Sequence, residues 1–234
     1  MLRPMRSSTL RSFASLALVP VALACYVTSA AAPTDAARPT PLEQAIAAYE
    51  QGRLDDARRA FERLAQMGVP AADYNLAVMH IRGERPDASM HEALRLMTRA
   101  AERGFVTAMV GLGQLHESGS AGSRRDLAAA HHWYLRAAQA GSVRGQVEAA
   151  TGFYLGRGTP KDLAAAAHWY REAARQGDEG AQYLIASMYE HGLGVGRDLR
   201  VARYWYEACA RSGDVAARGK LREIEALLPQ GSPD

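Results

Sequence analysis

The sequence predicts an all-α fold: a right-handed α/α superhelical solenoid of stacked helix pairs. Three observations predict it. The first is a period. HHWYLRAAQAG (131–141), AHWYREAARQG (167–177) and RYWYEACARSG (203–213) recur 36 residues apart, with Trp133, Trp169 and Trp205, the only three tryptophans, in one phase. A self-similar period of this size means an array, because each unit is one supersecondary piece that cannot bury its own apolar face. The second is punctuation: these segments end in Gly141, Gly177 and Gly213, as earlier ones end in Gly68 and Gly104. Glycine there suits the left-handed residue that closes a helix. The third is an apolar stripe of helical spacing, Leu127, Ala130, Trp133, Tyr134, Ala137 and Ala138 in one copy, which reads as an amphipathic helix.

In chain order, residues 1–32 read as a signal peptide. Arg3, Arg6 and Arg11 precede an apolar stretch from Phe13 to Val27, broken by Pro20, and small residues follow at 28–32. The stretch is too short and too broken for a spanning helix. A second export route is also written there. VALAC places Cys25 directly after the apolar stretch, which resembles a bacterial lipobox with Ala22 where Leu is usual, so Cys25 is a candidate lipidation site. The expected location is periplasmic or secreted, or membrane-anchored if Cys25 is lipidated. Residues 33–40 form a Pro/Ala-rich linker, and PQGSPD at 229–234 a flexible tail.

The leader also accounts for the excess of basic charge. The chain has 28 Lys+Arg and 25 Asp+Glu, and residues 1–32 hold three arginines and no acid, so the remainder is balanced at 25 and 25. A neutral chain with mixed signs argues against a phosphate-binding stripe, and no nucleic acid is expected as partner.

The pair at 41–70, with its short turn at Gly52, opens the array. Helix pairs follow at 71–105, 106–142, 143–178 and 179–214, and 215–228 is a capping helix without a partner. Asp126, Asp162 and Asp198 stand where an N-cap carboxylate would accept the free N–H groups of the next helix. The paired alanines 100/101, 137/138 and 173/174 allow close helix approach. The Trp and Tyr before them are expected to fill the space between units, so that Trp169→Ala costs about 3–5 kcal/mol.

AMVGLGQLHESG from Ala108, AQYLIASMYEHGLGV from Ala181, HWYLRAAQAG and HWYREAARQG resemble the Sel1-like repeat family, relatives of the tetratricopeptide repeats. The likeness covers about residues 71–222. Gly145 replaces the usual opening Ala, and His80 and His116 stand where Tyr is usual. The pair at 41–70 looks more like a tetratricopeptide repeat. The resemblance implies binding of a protein or peptide of the bacterial envelope through the concave face, lined by the first helix of each pair. Carried over by phase, that face includes Tyr74, Arg82, Gln114, Arg144, Tyr154, Tyr183, Glu190 and His191, besides Glu117, Thr151 and Ser187. Trp133, Trp169, Trp205, Gly104, Gly141, Gly177 and Gly213 are structural by the same comparison.

Chemistry is not expected. His131 and His132 are adjacent on a helix and do not face the same way, so no metal site is assigned. There is no GxSxG, no Ser-x-x-Lys and no phosphate loop, and no cofactor is expected. Cys209 sits in the phase of Ala137 and Ala173, a packing position. The chain therefore reads as a non-catalytic adaptor or scaffold. Alternatives are an envelope protein acting on cell-wall fragments or β-lactams, as the resemblance to Cys-rich relatives implies, and a structural lipoprotein.

Overall fold

The computed structural model describes residues 39–120 and 124–228. The leader, Cys25, most of the linker and the tail lie outside them. The described residues form helices and no strand: α1 (Pro41–Glu50), α2 (Leu54–Gln66), α3 (Pro70–Ile81), α4 (Met90–Glu102), α5 (Val106–Ser118), α6 (Leu127–Gln139), α7 (Val143–Leu155), α8 (Leu163–Arg175), α9 (Glu179–His191), α10 (Leu199–Arg211) and α11 (Val215–Leu227). None of them is long and apolar enough to cross a membrane. The chain divides into two compact units between Gly111 and Leu112, within α5.

In the first unit each helix packs on its chain neighbour, α1 on α2, α2 on α3 and α3 on α4. Thr40 and Glu43 form a capping box at the start of α1: the Thr40 hydroxyl accepts from the Glu43 N–H, and Glu43 accepts from the Thr40 N–H. Helix α3 is buried on every side from Ala72 to Ile81, as expected of a helix without a polar face. It carries Asp73, fully buried, which accepts from Arg99 Nε at 3.0 Å, from Arg99 Nη2, and from Arg103 Nη1 at 3.0 Å. A carboxylate at this depth is tolerable only when paired in this way.

In the second unit α6 to α11 again stack on chain neighbours. Asp126, Asp162 and Asp198 cap α6, α8 and α10 through their side chains. Ser142, Asp178 and Asp214 do the same for α7, α9 and α11. Gly104, Gly141, Gly177 and Gly213 all have positive φ. Gly145, the departure from the usual Ala, has a packing cause: a Cβ there would lie 2.6 Å from the Ala138 nitrogen, so its absence lets α7 press against α6. Two loop glycines have a different task. Gly158 and Gly194 have positive φ, and a Cβ on either would overlap the backbone carbonyl of Leu127 or Leu163, at the start of the preceding second helix.

The Trp–Tyr pairs divide their work differently from the expectation. Tyr134, Tyr170, Tyr206 and Trp205 are buried, but Trp133 and Trp169 are only half-buried. Trp133 lies under the Arg136 guanidinium, 4.9 Å from the ring centroid, and Trp169 meets the His168 ring edge-on. The tyrosine is the side chain that fills the interior.

Candidate functional site

The buried tyrosines need partners for their hydroxyls, because a phenol shut away from water without a hydrogen bond is costly. Each finds one on the first helix of its own pair. Tyr134 donates to Glu117 Oε2 at 2.9 Å, and Tyr206 donates to Glu190 Oε2 at 2.7 Å. Between them in sequence, where Tyr154 stands in the acid's place, Tyr170 shares a 2.9 Å hydrogen bond with Thr151. Burial, and then the acceptor carboxylate, push Tyr134 and Tyr206 far above the ordinary phenol range. They are neutral donors at any physiological pH.

Around these pairs the first helices of the second unit carry most of the residues expected to bind. Tyr183 stacks edge-on against Tyr206, with centroids 5.2 Å apart. Glu190 also accepts from Lys220 Nζ at 3.1 Å. Burial opposes its ionisation, but Tyr206 and Lys220 outweigh burial and hold its carboxyl below the ordinary value. His191 is exposed, 4.0 Å from Glu190, with Nδ1 2.9 Å from the Ser187 carbonyl. Tyr183, Glu190 and His191 thus form one cluster with Tyr206 and Lys220, which the sequence reading did not single out.

Tyr154 is half-buried with Lys161 Nζ 6.0 Å above its ring. Arg144 is exposed, and its guanidinium lies 4.0 Å from Glu148. Gln114 is half-buried on α5.

In the first unit the expectation divides. Arg82 is at the surface, with Nη1 donating to the Tyr49 hydroxyl at 2.8 Å. That hydroxyl in turn donates to Glu84. Tyr74 is not at the surface at all. It is 1 % exposed and packs against Phe105, centroids 5.3 Å apart, because α3 is enclosed on every side and the phase rule fails there.

Three residues outside the expected set matter in the second unit: His131, Glu148 and Arg157. With Glu117, Tyr134, Thr151 and Gly152 they line a cavity of about 20 Å³. Arg157 Nη2 donates to Glu117 Oε1. Burial, then the charge of Glu117, raise the Glu148 carboxyl above its ordinary value. Burial, then His132, lower His131. His131 occurs in no other copy of the repeat, which was the available signal.

A larger cleft, about 600 Å³, lies between α1 and α2. Of its cations, Arg53 and Arg59 share Asp56, and Arg63 lines it as well. Among the described residues, no three of His, Cys, Asp or Glu are placed to hold a metal ion. Burial pushes the Cys209 thiol up to about 11, the opposite of what a nucleophile needs.

Four stretches of the chain match the Sel1 repeat: 70–105, 106–142, 144–178 and 180–214. The chain belongs to the Sel1 repeat family. Two solved Sel1-type structures are similar to it. One is a protective antigen present in uropathogenic Escherichia coli strains and displaying an SLR fold: 28% identity over 82% of this chain and 42% of that one, TM-score 0.71. The other is a Sel1 repeat protein from Oxalobacter formigenes: 33% identity over 72% of this chain and 49% of that one, TM-score 0.64. The chain thus spans less than half the length of either. No curated protein matches it. Sel1 repeats generally mediate protein–protein interaction, which directs attention to the first-helix face.

Proposed function

We propose that this protein is a non-catalytic adaptor or scaffold of the bacterial cell envelope. It binds a protein or peptide partner through the face formed by its first helices. The observation that carries the reading is the set Arg144, Tyr154, Tyr183, Glu190 and His191. Tyrosines held by their neighbours stand among charged side chains that keep contact with solvent. Rigid aromatic anchors inside a polar rim are what a peptide groove needs. The family's general role supports it.

Export through residues 1–32 supplies the envelope location, with membrane attachment if Cys25 is lipidated. Processing that is unchanged by Cys25→Ser, with the protein in the soluble periplasmic fraction, fits the unanchored form. Changing Arg144, Tyr154 and Tyr183 together to Ala tests the binding face. Partner capture should be lost in a protein that still unfolds cooperatively, at a midpoint lowered by the two half-buried tyrosines. Capture that survives all three changes removes this face from consideration.

A further inference from the structure

We infer that the cavity between α5, α6 and α7 is a site for a primary ammonium group, supplied by a lysine side chain of the bound partner. This rests on the proposed binding face and names the chemistry of what it takes.

The charges in the cavity do not close. Glu117 is satisfied twice, by the Tyr134 hydroxyl on one oxygen and Arg157 on the other. Glu148 has no hydrogen bond among the described residues, and its side chain is 30% exposed. Its ion pair among the described residues is Arg144 at 4.0 Å, and the Arg144 side chain is 60% exposed. Two carboxylates therefore share the cavity with one guanidinium, that of Arg157, itself 38% exposed, with room for a further positive charge. Burial first, and the charge of Glu117 second, raise the Glu148 carboxyl.

His131 gives the second and independent sign. It is 7% exposed, it lines the cavity, and neither ring nitrogen has a hydrogen-bond partner among the described residues. A neutral imidazole offers one acceptor lone pair, and leaving it buried and unused is costly. This ring is not imposed by the repeat. Its equivalents 36 and 72 residues on are Ala167 and Arg203. It fits only because residue 152, opposite it, is Gly. A Cβ there would overlap Nδ1, and the equivalents of that position are Met188 and Ile224. His131 and Gly152 are a matched pair confined to one repeat.

Size and precedent choose the ligand. About 20 Å³ admits one water-sized group. An ammonium head has that size and a planar guanidinium does not. The chain builds the same arrangement internally two repeats later, where Tyr206 and Lys220 Nζ occupy the two oxygens of Glu190. Lys220 stands in the repeat position that Glu148 holds in the upstream copy. There the chain supplies the ammonium itself; here an acid lines the opening instead, and the ammonium must come from elsewhere.

The test is an NMR titration of the full chain with Nα-acetyl-lysine N-methylamide, observing the His131 ring and the Glu148 carboxyl. The same titration is run with the Nε-acetylated, arginine and glycinamide counterparts. Saturable shifts are expected with lysine alone. They should weaken at least tenfold in Glu148→Gln, a variant whose helical melt shows that it is folded. No shift with lysine, equal shifts with arginine or glycinamide, or unchanged binding in Glu148→Gln each overturns the assignment. Crosslinking from position 183 separates this from the binding face. A partner captured there with the lysine titration silent removes the lysine site alone. Lysine bound with no partner captured removes the face and leaves the cavity's chemistry standing.

Discussion

Tyr206 donates its hydroxyl to Glu190 at 2.7 Å, and Tyr134 does the same to Glu117 at 2.9 Å. One hydrogen bond from a buried tyrosine, second helix to first, ties the interior of the repeat to the face expected to bind. Removing it should cost stability and leave the face intact in outline. Tyr206→Phe should lose about 1.5–3 kcal/mol, the range for a hydrogen bond to a charged group. Urea unfolding monitored by circular dichroism measures it, and a loss near zero would mean that water replaces the hydroxyl at no cost.

The neighbouring positions should separate clearly. Tyr170 is buried and Trp169 only half-buried. Tyr170→Ala should cost about 3–5 kcal/mol, as for other buried aromatics. Trp169→Ala should cost less, about 1–3 kcal/mol, because part of the ring already faces water. The reverse order in urea midpoints would contradict the burial described above.

Two glycines with the same sign of φ should differ in the same way. Gly141 has φ +86° and nothing within 4 Å of its missing Cβ, so Gly141→Ala meets only backbone strain, about 1–2 kcal/mol. Gly158 has φ +73° and lies against the Leu127 carbonyl. Gly158→Ala adds a backbone collision to the strain and should cost about 3 kcal/mol or more. Equal melting temperatures for the two variants would show that the loop does not rest on α6.

Acid should act on Glu148 in a defined direction. Its folded carboxyl titrates above its ordinary value, burial first and Glu117 second. A group raised on folding contributes stability below its unfolded value, and that contribution is lost as pH rises through the folded value. Glu148→Gln should therefore be more stable than the parent at pH 7.5, with the advantage gone by about pH 4. Thermal melts at both pH values decide it; an advantage that is the same at both would mean that the charge is not the cause.

Much of the fold was legible because its signals are local. Glycine at positive φ, aspartate at the N-cap and the Trp–Tyr phase each act within one turn of helix, so they survive in a sequence read alone. What was not legible depends on two elements at once. Asp73 looks like a first-turn acid on α3, but it lies in the core because Arg99 and Arg103 reach it from α4 and the turn that follows. Tyr74 shares a helical phase with exposed positions elsewhere, yet α3 has no exposed face there. His131 was read correctly as facing away from His132: His131 is buried and His132 exposed. Its meaning came only with Gly152, which is not next to it in sequence.

The central claim is that the first-helix face around Tyr183 holds a partner. Replacing Tyr183 with a photoreactive phenylalanine derivative in living cells, and identifying adducts by mass spectrometry, tests it most directly. One discrete protein adduct is expected, lost when Arg144 and Tyr154 are changed. A folded, exported protein that yields no adduct from this position would contradict the claim.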